Sequence, residues 1–101
     1  MTSENADLVL TDEQQEIIEA GDAATRLLSD PYFQHTLQRL RETYSDGILS
    51  SKPNEQDLRE SFYLANAALS DLQNVLYGDV LVRDELLSRL RDAGDDHTSQ
   101  E

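Results

Sequence analysis

The chain of 101 residues contains no cysteine and no tryptophan, one methionine, two prolines and four glycines. Without cysteine there is no disulfide framework, no thiolate zinc site and no thiol nucleophile. Such a composition fits a reducing compartment. Basic residues are scarce as well: eight Lys and Arg stand against 21 Asp and Glu, a formal net charge of −13. Phosphate contacts draw on Lys and Arg and on the counterions they release, so direct nucleic-acid binding is not expected. Anionic membrane surfaces are disfavoured on the same ground. No apolar run approaches the roughly 18–20 residues that span a bilayer. The N-terminus, Met1-Thr-Ser-Glu-Asn-Ala-Asp, has acids where a secretory signal carries bases, and no apolar segment follows. A soluble cytoplasmic protein is expected.

Groups that carry chemistry are equally sparse. His35 and His97 are the two histidines; neither has a partner at i+4, and no HExxH pattern occurs. Asp12, Glu13, Glu16 and Glu19 lack the alternating oxygen ligands, turn glycine and closing Glu of a calcium loop. Acids three and four apart on a helix read as a solvated face. There is no nucleophile elbow and no glycine-rich phosphate loop. No catalytic, cofactor or metal site is expected, and the protein is read as not an enzyme.

What is present is helical periodicity. Thr11 is a good N-cap with Gln14 at the capping-box position, and Asp12 and Glu13 suit the positive end of the helix dipole. Ile17, Ile18, Ala20, Ala24, Leu27 and Leu28 give a first helix its apolar stripe. Gly21 weakens this helix by about 1 kcal/mol relative to Ala and marks a close approach to a neighbour. Ser29-Asp30-Pro31 is a boundary at which Asp30 caps and Pro31 occupies the first helical position. Phe33, Leu37, Leu40 and Tyr44 share one face of a second helix, about 31–46, which Gly47 ends. After a loop at Ser50-Ser51-Lys52-Pro53-Asn54, with Asn54 as cap, a third helix runs over about 55–77. Leu58, Phe62, Ala65, Leu69, Leu72 and Leu76 form its seam, and Gly78 stops it. A last helix covers about 82–93, with Leu86, Leu87 and Leu90 on its apolar side and Gly94 as its stop.

The short loop between two matched helices implies an antiparallel hairpin. The expected fold is therefore all-α: an antiparallel helical hairpin (about 31–46 and 55–77) flanked by a shorter helix at each end. The expected organisation is a flexible acidic arm at 1–10, a single helical domain at 11–94 and a flexible polar tail at 95–101. The third helix outruns the second, so its C-terminal part needs cover from another helix or another subunit.

Candidate interaction residues fall in three groups. Arg59 and Glu60 repeat the Arg41-Glu42 pattern beside an apolar seam, as an interface of paired Arg–Glu bridges or as chance. Tyr63 and Tyr77 lie off the seam, beside Leu64, and offer buried area with a polar tip. Asp12, Glu16 and Glu19 lie in the acidic first third, where residues 1–30 hold eight acids and one base.

The stretch from Leu27 to about Leu87 resembles a group of small helical proteins encoded by tailed bacteriophages and prophages. The shared pattern is Leu27-Leu28-Ser29-Asp30-Pro31-Tyr32-Phe33, the loop Ser51-Lys52-Pro53, then Arg59-Glu60-Ser61-Phe62-Tyr63 running into Ala68-Leu69-Ser70-Asp71-Leu72. The resemblance implies a phage-type accessory protein that docks on other protein subunits, in virion assembly or as a minor virion component. Its partners are then phage structural subunits or a basic host protein, in a homo- or hetero-oligomer. Its place is the host cytoplasm or the virion. The alternative, drawn from the charge, is an acidic DNA mimic that inhibits a host DNA-binding or defence protein.

Overall fold

A computed structural model describes the backbone of residues 9–99 and the side chains of residues 9–94. Those residues form three α-helices and no strand: α1 (Asp12–Leu28), α2 (Pro31–Ser50) and α3 (Gln56–Ser99). Most of the expected arm, up to Leu8, lies outside the described residues; Val9, Leu10 and Thr11 precede α1 without regular structure. Of the expected tail, 95–99 continue the helical backbone, while Gln100 and Glu101 lie outside the described residues.

The first helix starts as its sequence dictates. The Thr11 hydroxyl accepts from the Gln14 backbone N–H, and the Gln14 side chain accepts from the Thr11 N–H, each at 3.0 Å. Two of the helix's four orphan donors gain partners in this way. At the joint, the Ser29 and Asp30 N–H groups close α1 on Thr25 and Leu27 carbonyls. The Asp30 carboxylate accepts from the Tyr32 N–H at 2.8 Å and, at 3.4 Å, from Phe33. Gln34 donates back across the joint to the Leu28 carbonyl at 2.9 Å.

Three glycines and one cap depart from the sequence reading; Gly94, expected as a stop, lies inside α3, whose backbone runs on to Ser99. Gly47 lies inside α2, which runs on to Ser50. A Cβ there would overlap the Phe62 ring, so this glycine serves close packing and not termination. Glu55, not Asn54, stands before the first residue of α3; its carboxylate accepts from the Lys52 N–H at 2.7 Å. Gly78 is the larger correction. No glycine has a positive φ, and α3 passes through Gly78 unbroken for 44 residues. The expected third helix and last helix are one rod, and the separate helix at 82–93 does not exist. The physical reason is the seam Leu69, Gln73, Leu76, Val80 and Arg83, which keeps its 4-3-4-3 spacing across Gly78. Packing along that seam outweighs the roughly 1 kcal/mol that a helical glycine costs. Gly78 faces open space, with nothing near a Cβ position.

At 1.5 Å per residue α3 is about 66 Å long, which accounts for a molecule of 72 × 23 × 23 Å. Its radius of gyration is 21.3 Å, against about 13 Å for a compact domain of this length. Both short helices run antiparallel to it. α2 pairs with the N-terminal half: the Tyr44 and Phe62 rings are 6.2 Å apart, and Arg41 bonds to Gln73. α1 lies against the C-terminal half, where Arg83 reaches Asp22 at 2.8 Å. The overhang foreseen for the third helix is thus covered by α1. α2 and α1 thus follow one another along the spine, α2 meeting it at Gln73 and α1 at Arg83, two residues of the one seam.

The core is correspondingly thin. Ala24, Leu37, Leu69 and Leu86 are its buried hydrophobic side chains among the described residues. Gly21 is buried where α1 meets Arg83: a Cβ there would overlap the Arg83 stem at its Cβ and Cγ, so the close approach foreseen at this glycine is present. Two Gly→Ala changes therefore separate in sign. Gly78→Ala should raise stability by about 0.5–1 kcal/mol in thermal or urea unfolding. Gly21→Ala should lower it by about 1–3 kcal/mol despite the better helix propensity. A loss of stability in Gly78→Ala would mean that the helix stops there.

Candidate interaction surface

α2 and α1 cover the seam face of α3 in turn and leave apolar side chains on its other faces exposed. Leu64, Leu72 and Val75 of α3 are exposed. Tyr77 and Leu81 are exposed further along the same helix. Leu64, Val75 and Val82 are spaced 11 and 7 apart, which puts them within about 20° of one line. Their exposures of 66%, 62% and 49% make the line a surface feature and not core. Asp71, seven residues after Leu64 and also exposed, falls on the same line.

Toward the C-terminus this line borders an open groove of about 230 Å³ between α1 and α3. Ile17, Ala20 and Val82 form its apolar part, with Glu13, Glu16 and Asp79 around them. A second open groove of about 370 Å³ adjoins it, sharing Glu13 and Ile17 and reaching Leu86, Leu90 and Arg89. All five acids of α1 (Asp12, Glu13, Glu16, Glu19 and Asp22) are exposed, against the single base Arg26. In α2 the charges balance, with Arg39 and Arg41 against Glu42 and Asp46.

The candidate residues named from sequence do not form one site. Asp12, Glu16 and Glu19 share the outer stripe of α1, where Glu19 accepts from Gln15 at 3.3 Å. Arg59 and Glu60 lie near the opposite end of the rod, about 40 Å away along α3. Among the described residues Arg59 makes no Arg–Glu bridge; it donates to the Ser51 hydroxyl at 2.9 Å and the Lys52 carbonyl at 3.2 Å, and so fixes the hairpin loop. Arg41 likewise bonds an amide and not an acid. Glu60 and Tyr63 line a third open groove, of about 310 Å³, with Gln56 and Arg59. Tyr63 and Tyr77 are both exposed, about 40° apart around α3, whereas Leu64 is turned about 100° from Tyr63 onto the other flank. His35 is exposed on α2, and the side chain of His97 lies outside the described residues.

Arg83 is the most heavily engaged charge. Its guanidinium meets Asp22 at 2.8 Å and Asp84 at 2.9 Å, with the side chain mostly covered. The hydrogen bond to Asp22, then that to Asp84, raises its pKa above the ordinary arginine value, so it is cationic at every working pH. Among the described residues no group of three or more His, Asp or Glu is arranged to hold a metal ion. No described helix is long and apolar enough to cross a membrane.

No protein-family model matches the chain, and no curated protein or solved structure shows significant similarity to it. Sequence reasoning missed Val75, Val82, Ile17, Ala20 and Asp79. The signal was the 11-and-7 spacing from Leu64, which a helix break at Gly78 hides.

Charge insertion should separate surface from core. Val75→Asp should leave stability within about 0.5 kcal/mol, as a substitution at an exposed site. Leu69→Asp should cost more than about 3 kcal/mol, because it buries an unpaired carboxylate. Arg83→Ala should destabilise more than Asp22→Asn, since the arginine stem packs on Gly21 whereas the ion pair is open to solvent on its Asp22 side. Urea unfolding of the four variants checks both orders.

Proposed function

We propose that this is a non-enzymatic accessory protein of the phage type that docks on other protein subunits, in particle assembly or as a minor component of the virion. The observation that carries the docking reading is the exposed apolar line of α3 on a rod with so small a core. The accessible surface is 7802 Å², whereas a compact monomer of this mass exposes about 5,800 Å². Apolar surface aligned along a rod is what a partner helix covers, and extended surfaces of this kind mark interaction sites. The grooves are open and shallow, which suits a protein surface better than an enclosed small molecule. The phage setting rests on the motifs between Leu27 and Leu87 that resemble small helical phage proteins.

The DNA-mimic reading keeps one observation of its own, the five exposed acids of α1. It requires competition with duplex DNA for a basic host protein and steep weakening of binding with salt.

Co-expression with phage capsid-region proteins tests the main reading. A particle protein should co-purify with the wild-type chain, and Leu64→Asp/Val75→Asp should reduce its recovery at least tenfold while melting is unchanged. A strict monomer by light scattering, with no capsid-region protein retained, overturns the reading.

A further inference from the structure

We propose that the exposed line of α3, together with the groove between α1 and α3, receives a basic amphipathic helix of a partner protein. This rests on the docking reading above and names the site and the chemistry of its occupant. From Leu64 to Val82 the line spans 18 residues, about 27 Å, the length of a five-turn helix. A helix laid there meets apolar side chains at Leu64, Val75 and Val82, and then Ile17 and Ala20 where α1 forms the second wall. That is the recurring arrangement of an amphipathic helix in a groove between two others.

Charge selects the occupant. Asp71 stands on the line itself, and Asp79, Glu13 and Glu16 stand at the groove. The basic group along this track is Arg89 at the far end of the adjoining groove, and it is within 3.7 Å of Glu85. An incoming helix with Lys or Arg beside its apolar stripe pairs with these acids, whereas an acidic one places like charges together at short range. A second copy of this chain fits poorly. It brings −13 to −13. Its α1 is acidic, and on its α2 exposed Arg39 is outweighed by exposed Glu42 and Asp46 while Arg41 is bonded to Gln73. On its α3, Arg59 and Arg83 are held within the fold, and exposed Arg89 and Arg91 stand among exposed Asp84, Glu85 and Asp92, with Arg89 within 3.7 Å of Glu85. Residues 1–8 also fit poorly, since they carry Glu4 and Asp7 and no base.

The probe is an 18-residue fluorescent peptide with leucines at heptad a and d positions and lysines beside them, titrated into the full chain by anisotropy. A peptide of the same composition, scrambled to remove the apolar stripe, is the control. The amphipathic peptide should bind at least tenfold more tightly than the scrambled one. Val82→Asp should weaken it at least tenfold, and Glu13→Lys/Glu16→Lys, which alters exposed positions alone, at least fivefold. Tyr63→Ala, on the other flank, should leave it unchanged. Backbone amide shifts should move at Ile17, Ala20 and Val82. Equal binding of the scrambled peptide, no loss in Val82→Asp and the double lysine variant, or self-association that shifts these same amides overturns the proposal. If capsid-region proteins still co-purify with Glu13→Lys/Glu16→Lys and Val82→Asp, the docking reading stands and this site fails. If the peptide binds as expected and no particle protein co-purifies, the site stands and the particle-docking reading fails.

Discussion

The uninterrupted seam of α3 is the constraint on which the rest of the molecule depends. A helix of 44 residues gives two shorter helices a common axis to lie against, and it does so because Leu69, Gln73, Leu76, Val80 and Arg83 keep step across Gly78. Isolated helices are marginal in water, and most helical stability comes from packing of a face. α3 is therefore held by α1 and α2 as much as it holds them. Were it broken near Gly78, α1 would lose its seat at Arg83 and Leu86, and α2 would be left with the N-terminal half alone.

From that spine follows the distribution of apolar surface. α1 and α2 total 37 residues and follow one another along one seam of α3, so the faces away from that seam stay bare. The bare stretches are the direct result of a long helix packed along one face by two short partners. Leu64, Leu72 and Val75 are exposed in this way, as are Tyr77 and Leu81. Charge then differentiates these stretches, because α1 is strongly acidic and α2 is balanced. An acidic wall beside an apolar line is a surface with a chemical preference.

Much of this was legible in residue order. The Thr11 capping box, the Asp30-Pro31 joint, the face shared by Phe33, Leu37, Leu40 and Tyr44, and the antiparallel pairing of α2 with α3 all follow from local rules. Each depends on side chains within a few residues of one another. The errors came at glycines. Gly47 and Gly78 read as helix stops because glycine tolerates the left-handed turn of a helix end, yet neither adopts it. What decides their role is the Phe62 ring for one and the packing of α1 and α2 on either side for the other, and both lie far away in sequence. The candidate surface was less legible for the same reason. A break at Gly78 separates Leu64 and Val75 from Val82, and no local rule places Ile17 and Ala20 beside Val82. Arg59 illustrates the converse: its neighbours in sequence suggested an ion pair with an acid, while the loop offered a hydroxyl and a carbonyl in better positions.

Small-angle X-ray scattering of the monomeric chain tests the continuous spine most directly. The account predicts a radius of gyration near 21 Å and a longest dimension of at least 72 Å, as in the structure. A radius of gyration near 13 Å, the value for a compact domain of this length, would show that the chain folds back at Gly78 and would contradict it.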